Sequence, residues 1–345
     1  MKVTIRDVAL HANVSFQLVS AVLGKKSYAR ASEEVKKRIF SSAEALGYIP
    51  NASAGRLRGN ASKIIGVMAD THASDDIKLL MACLDQQAEA AGYRILTAQA
   101  HDSPDKLLEA YYCLKENGVD GIISLAHDYP EASTQLGKIL NNEERIIFVR
   151  NTGNIDSSVV DIDVASGVTY ALEHLKSEGY RKTGLLLLAE RERHTGSISE
   201  RIRGFCKTEP EENIFFITQI PEIADHVSAV ENEISRLLQE EFLPRHFDSL
   251  VIQNDYLGAL VENILLKNNI RIPEDFGLVG CDDLLVAQCL PVKLSSLRYN
   301  HTLIAQKTME LLIEHINGKK EKSSFFLQPE LAIRESSSKN INSKV

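Results

Sequence analysis

The stretch Tyr48-Ile49-Pro50-Asn51-Ala52-Ser53-Ala54-Gly55-Arg56-Leu57-Arg58 constrains the fold most, because it separates two segments of opposite character. Residues 1–62 carry 10 Lys/Arg against 4 Asp/Glu, whereas residues 63–345 carry 29 against 43. A small basic head on a large acidic body implies a head that binds a polyanion. Pro50 breaks whatever precedes it. Ala52 to Leu57 leaves room for a turn or two of helix, far below the roughly 12–15 residues an isolated helix needs. Such a helix must be held from outside. Arg56 and Arg58 flank Leu57, a lone large apolar side chain. The stretch reads as a hinge that folds on DNA; the alternative is a plain solvated linker.

The remaining composition narrows the class. A chain of 345 residues, 44% hydrophobic and 25% charged, is long enough for two or three globular domains. Cys83, Cys113, Cys206, Cys281 and Cys289 are scattered and form no C-x-x-C pair. That argues against a disulfide framework or zinc site and for a reducing compartment. Met1 to Asp7 is too polar for a secretory signal. Apolar runs such as Gly184 to Ala189 are too short to span a bilayer. The expectation is a cytoplasmic protein with no membrane segment, no metal and no cofactor.

Residues 1–49 read as three helices. Thr4 followed by Asp7 resembles a capping box, and Ile5, Val8, Ala9 and Ala12 follow at helical spacing. Asn13-Val14-Ser15 makes a tight turn, with Ser15 placed to cap a second helix. There Val19, Val22 and Leu23 share one face, while Phe16, Gln17, Ser20 and Ala21 face outward. Ser32-Glu33-Glu34 opens a third helix with acid at the positive end of its dipole. Val35, Ile39, Ala43 and Leu46 line its inner face, and Gly47 ends it. Two short helices joined by about three residues is the helix-turn-helix plan. The competing reading is a small helical bundle with a solvated basic face.

Val3-Thr4-Ile5-Arg6-Asp7-Val8-Ala9, Ala12-x-Val14-Ser15, Val19-Ser20-x-Val22-Leu23 and Leu46-Gly47-Tyr48-Ile49-Pro50-Asn51-Ala52 together closely resemble the head of the LacI/GalR family of bacterial transcription regulators. The resemblance implies that the second helix enters the major groove. Phe16 and Gln17 would touch base edges, and Gln17 is able to pair bidentately with adenine. It implies a DNA-contacting set of Thr4, Ser15, Phe16, Gln17 and Ser20. In the hinge the set adds Asn51, Ala54, Arg56 and Leu57, with Leu57 wedged into the minor groove at the dyad. The chain departs from the family at Ala21, where an Arg is usual, at Leu18, where Thr or Ser is common, and by two extra residues between Gly24 and Ala31. Lys25, Lys26 and Arg30 on that longer loop are placed to compensate through phosphates.

From Ser62 onward, apolar strands alternate with helices. Strands are expected at 64–68, 93–98, 121–125 and 145–149. The rhythm restarts near Val159 and runs through 183–189, 214–218, 249–253 and 277–280. This means parallel sheets covered on both faces, in two doubly wound lobes. Val119-Asp120-Gly121-Ile122-Ile123, Glu173-His174-Leu175, Gly179-Tyr180, Arg201-x-x-Gly204-Phe205, Asn254-Asp255, Ile272-Pro273-Glu274-Asp275, Val279-Gly280-Cys281-Asp282-Asp283 and Pro329-Glu330-Leu331-x-x-Arg334-Glu335-Ser336 extend the resemblance to about residue 337. It implies an α/β body like the periplasmic sugar-binding proteins, crossed three times by the chain near 161–164, 290–295 and 323–327. The expected division is a head at 1–49, a hinge at 50–61, and a body from 62. Its first lobe takes 62–162 and 293–325, its second 163–292 and 326–337. The tail from Ser337 on is expected to be disordered.

Ligands of such sheets lie beyond the carboxyl ends of the strands. In the family, positions matching Arg201, Asn254 and Asp282 grip small polar effectors; a fork donor, an amide and a carboxylate read adjacent hydroxyls. The alternative is that Asn254 and Asp282 merely cap loops and Arg201 pairs with Glu190. The opposite wall departs from the family at Asp75, Asp76 and Arg150, while Tyr299 lies at a crossover and His127 ends a strand. These complete the candidate effector set. The reading is a repressor that binds an inverted-repeat operator as a homodimer and is controlled by a sugar-like effector. The alternatives are a regulator with a degenerate pocket, controlled by a protein partner or by no effector, and an α/β enzyme. The chain holds no G-x-G-x-x-G, Walker A, G-x-S-x-G or H-E-x-x-H motif for the last. Ser336 to Val345 has no leucine heptad, which favours a dimer over a tetramer.

Overall fold

The computed structural model describes residues 3–24, 29–49, 61–69, 75–100, 104–125, 134–149, 156–189, 196–218 and 227–339. The chain divides into two units, Met1–Ser62 and Lys63–Val345.

The first unit contains α1 (Ile5–Ala12), α2 (Phe16–Leu23) and α3 (Glu33–Ala45). Each starts at a polar cap. The Thr4 backbone N–H and hydroxyl both donate to the Asp7 carboxylate at 2.7 Å. Ser15 Oγ accepts from Leu18 N at 3.2 Å, and Ser32 Oγ from Val35 N at 3.3 Å. Asn13, with φ 52°, ends α1 and turns the chain into α2. Arg38 Nε donates to Ala12 O at 3.0 Å, placing a cation at the negative end of the α1 dipole. Val8, Ala9, Ala12, Val19, Val22, Ile39 and Ala43 form the core. Ala21 is only 7% exposed, not outward as expected. The eight-residue α2 is packed by α1 on one side and α3 on the other, so a small side chain on its flank is covered as well.

The second unit carries two sheets. The first is formed by β1 (Ile64–Ala69), β2 (Arg94–Gln99), β3 (Gly121–Ser124), β4 (Ile146–Val149), β5 (Ser158–Ile162) and β11 (Ser324–Leu327), in the order β11-β5-β4-β3-β1-β2. The second is formed by β6 (Thr183–Leu188), β7 (Ile214–Ile217), β8 (Ser249–Ile252), β9 (Gly277–Cys281), β10 (Ser295–Arg298) and β12 (Glu330–Ala332), in the order β12-β10-β9-β8-β6-β7. The pairs are parallel except β10–β12, which closes the second sheet in antiparallel fashion.

Between the strands run α4 (Asp75–Ala90), α5 (Pro104–Glu116), α6 (Gln135–Asn141), α7 (Val164–Ser177), α8 (Gly196–Phe205), α9 (Val227–Leu237), α10 (Asp255–Lys267), α11 (Leu285–Cys289) and α12 (His301–Ile316). Strand residues alternate between two cores because successive side chains point to opposite faces. In the first sheet Ile123 and Ile147 join α4 and α12 on one face. Ile122, Ile146 and Phe148 join α5 and α6 on the other. The second sheet sends Leu250 and Leu278 toward α9 and α10, and Val251 and Val279 toward α7 and α8. Among the described residues, no helix is long and apolar enough to cross a membrane.

The chain passes between the lobes at Asp163, at Tyr299–Asn300 and at Gln328–Pro329. The second crossing falls later than 290–295. Ser295–Arg298, assigned from sequence to the first lobe, instead pairs with β9 in the second. Its serines hid its burial: Ser295 and Ser296 are fully enclosed. Ser295 Oγ donates to Arg334 O at 3.1 Å and Ser296 Oγ to Asp255 Oδ1 at 2.7 Å. The third crossing lies just past β11, so residues 326 and 327 stay with the first sheet. The start of the tail is ordered, against expectation. Ser336, Ser337 and Ser338 are buried, and Ser337 Oγ bonds both Ser295 Oγ and His174 Nε2 at 2.7 Å. Residues 340–345 lie outside the described residues.

Candidate DNA-reading face and effector cleft

In the head, Phe16 is 49% exposed and Gln17 lies beside it on the first turn of α2, also exposed. Ser20, one turn on, is half-buried, and Thr4, Ser15 and Arg30 are exposed. The first turn of α2 carries no acid of its own, so the positive end of its dipole is not offset from within the helix, and its first residues are exposed. Such an edge suits contact with phosphates and base edges. Lys25, Lys26, Asn51, Ala54, Arg56 and Leu57 lie outside the described residues, and so do His127 and Arg150 of the body.

In the body the strand ends converge. Gln253 and Asn254 follow β8, Asp282 and Asp283 follow β9, and Tyr299 follows β10. Arg201 reaches them from α8. It is buried, and its guanidinium donates to Gln253 O at 3.3 Å. Burial opposes its charge, but Tyr299, Cys281 and Asp282 nearby outweigh that and raise its pKa further. The Cys281 thiol is pushed up to about 12, chiefly by burial, despite the Arg201 charge beside it. The structure therefore brings Arg201, Asp282 and Tyr299 together.

Asn254 sits at the same rim with its Oδ1 accepting from Leu257 N at 2.9 Å, which makes it the cap of α10. Asp282 and Asp283 both have positive φ, 95° and 50°. Asp283 is fixed there by Arg298 Nε at 2.6 Å and by Arg334. Its backbone N–H donates to Ser296 Oγ at 3.0 Å. Asp255 completes the support from beneath, accepting from Leu284 N and from Ser296 Oγ at 2.7 Å. Gly280 makes room for it, since a Cβ there would lie 2.3 Å from Asp255 Oδ1. Burial drives the Asp255 carboxyl up to about 7.

The two acids of the opposite lobe have different surroundings. Asp75 begins α4 and bonds Lys78 Nζ at 2.7 Å and the Tyr256 hydroxyl of α10. Asp76 is 1% exposed and bonded to His301 Nε2 at 2.5 Å, which commits it to the interior of the first lobe. Sequence reading did not single out Gln253, Tyr256, Asp255 or the Arg298–Asp283–Arg334 network. For Asp255 a signal was present, a carboxylate directly after Asn254 in a helix start; the others depend on pairings distant in sequence.

A three-helix reading head and a two-sheet body with polar groups at its strand ends define a class of ligand-responsive DNA-binding regulators. Residues 4–51 match the model of the bacterial regulatory proteins of the lacI family, and residues 172–337 match that of a periplasmic binding protein-like domain. The chain belongs to the LacI/GalR family.

Among its relatives is the HTH-type transcriptional repressor PurR of Mannheimia succiniciproducens, 26% identical over 335 residues, which span 96% of this chain and 98% of that one. PurR of Aliivibrio salmonicida is 26% identical over 346 residues with the same coverage. In fold, the chain is similar to the lac repressor dimer bound to operator and the anti-inducer ONPF. That match has a TM-score of 0.81 at 20% identity, covering 98% of this chain and 100% of that one. It is also similar to the complex of the transcriptional regulator CelR with cellobiose, with a TM-score of 0.66 at 20% identity, covering 97% and 100%.

Proposed function

We propose that this chain is a cytoplasmic, sequence-specific transcription repressor that binds an inverted-repeat operator as a homodimer and responds to a small polar effector. The observation that carries the reading is the exposed Phe16-Gln17 edge on a Ser15-capped α2, within a head matched to the lacI family. Relatives named as repressors over nearly the full length support regulation rather than catalysis. In this reading Phe16 and Gln17 read bases, while Thr4, Ser15, Ser20, Lys25, Lys26 and Arg30 hold the backbone. Asn51, Ala54, Arg56 and Leu57 form the hinge contacts in the minor groove.

Effector binding is assigned to Arg201, Asp282 and Tyr299, with Asn254 at the rim and Asp75, His127 and Arg150 on the facing wall. A buried guanidinium beside a carboxylate and a phenol suits a ligand presenting adjacent donors and acceptors, such as a sugar or sugar derivative. Asp76, held by His301, supports the wall rather than touching the ligand. Binding to one lobe arrangement in preference to another transmits the signal, with a coupling typically of about 1–3 kcal/mol.

The test is a melting-shift screen against sugars, polyols and uronates, followed by operator titrations with and without the hit. Leu57→Ala should lose operator affinity and keep effector binding; Asp282→Ala should do the reverse. A full effector response in the Asp282 variant removes the cleft assignment, and normal operator binding by the Leu57 variant removes the hinge.

A further inference from the structure

The side chains that begin α4 and α10 join the two lobes directly. Asp75, first residue of α4, accepts a hydrogen bond from the hydroxyl of Tyr256, second residue of α10. Helix α4 packs on the first sheet with α12, and α10 packs on the second with β8 and β9. Both helices follow strands that run to the cleft, so the bond lies at its mouth rather than in either core.

Both ends of the bond are anchored. Next to Asp75, Asp76 is fixed to His301, which begins α12 immediately after the Tyr299–Asn300 crossing. Lys78 holds the Asp75 carboxylate from its own helix and, together with the Tyr256 hydroxyl, lowers its pKa, keeping it ionised as an acceptor. On the other side, Asn254 caps the turn that carries Tyr256. Asp255 ties the same turn to Leu284 N and Ser296 Oγ. A bond between two such pre-ordered turns costs little side-chain freedom, and a carboxylate acceptor makes it stronger than a neutral one.

We propose that Asp75 and Tyr256 form a clasp that keeps the two lobes closed without a ligand, and that Tyr256 thereby sets how far an effector shifts the body. The regulatory consequence rests on the effector-controlled reading above; the clasp itself does not. A ligand moves an equilibrium only by its differential affinity for the two states. With the clasp present, a ligand that favours the closed body has little left to shift, and one that favours the open body must overcome the bond. Removing it changes the open-to-closed ratio by about tenfold, the size of one hydrogen bond to a charged group.

The experiment uses the full chain with no ligand and no DNA. Cys113 on α5 and Cys206 after α8 are exposed, one on each lobe. With Cys83 and Cys289 replaced by Ser and Cys281 buried, nitroxide labels at Cys113 and Cys206 give an interlobe distance by pulsed electron resonance, in labelled chains diluted with unlabelled ones. The expected result is one narrow distribution for the parent, with a second, different distance in both Tyr256→Phe and Asp75→Ala. The double variant should go no further than either single one. Tyr256→Phe removes one oxygen and keeps the ring, so loss of fold is not expected of it, and Asp75→Ala provides the independent check. Identical distributions in all four proteins overturn the clasp. Because the readout contains no operator and no effector, a failure of the regulator reading leaves it unaffected, and a failure of the clasp leaves that reading standing.

Discussion

Glu262 offers a quantitative check on the packing beneath the cleft. It lies on α10, two turns beyond Asp255, and is almost wholly enclosed. Its Oε1 accepts from Val292 N at 3.0 Å, while its Oε2 meets no partner among the described residues. Burial moves its carboxyl from an ordinary 4.5 up to about 7. That gap of roughly 2.5 units, at about 1.36 kcal/mol each, makes ionisation in the folded body cost about 3 kcal/mol. Between pH 4.5 and 7 the unfolded chain releases this proton while the folded body keeps it. Stability therefore falls as pH rises through that window and levels off above about 7. Asp255, pushed up to about 7 from 3.8, acts with the same sign.

Glu262→Gln imitates the protonated acid and cannot ionise. The variant should exceed the parent by only about 1 kcal/mol at pH 5, where the unfolded acid is already largely ionised, and by about 3 kcal/mol at pH 8. For a body of this size that is a rise in melting temperature of roughly 6 °C. Scanning calorimetry on both proteins at both pH values measures it. A gain equal at pH 5 and pH 8, or a loss at both, refutes an ionisation cost at this site.

Gly204→Ala should destabilise the body by about 1–3 kcal/mol, because its Cβ would lie 2.3 Å from the Ala165 backbone oxygen, which cannot swing aside; urea unfolding of the full chain reads this. Gln17→Ala should cost about 1–3 kcal/mol at one base position of the operator and relax the preference there, whereas Lys26→Ala should weaken all sequences alike and flatten the salt slope. Fluorescence anisotropy with operator variants separates the two effects.

The head and the alternating body were legible because their signals are local. Thr4 with Asp7, Ser15 and Ser32 each cap the turn that follows them, and apolar residues repeat at the period of the element they build. What was hidden depends on partners far along the chain. Ala21 is covered only because α1 and α3 both close on the short α2. The strand Ser295–Arg298 reads as polar until Arg334 and Asp255 are seen to satisfy its serines. Ser337 was expected to lie in a loose tail, yet His174 and Ser295 hold it, both more than forty positions earlier in sequence. In the cleft, Arg201 and Asp282 were visible from the resemblance. Tyr256 was not, since its bond to Asp75 spans the two lobes.

The central claim is that the head reads DNA sequence. The direct measurement is the affinity of the full chain for a selected inverted-repeat operator and for random DNA of equal length, at one fixed salt concentration near physiological. The account predicts a preference of about 10³-fold or more, carried largely by Gln17 and lost when one half-site is scrambled. Equal affinity for the two DNAs, falling together as salt rises, would show a basic head that binds phosphates without reading bases, and would contradict it.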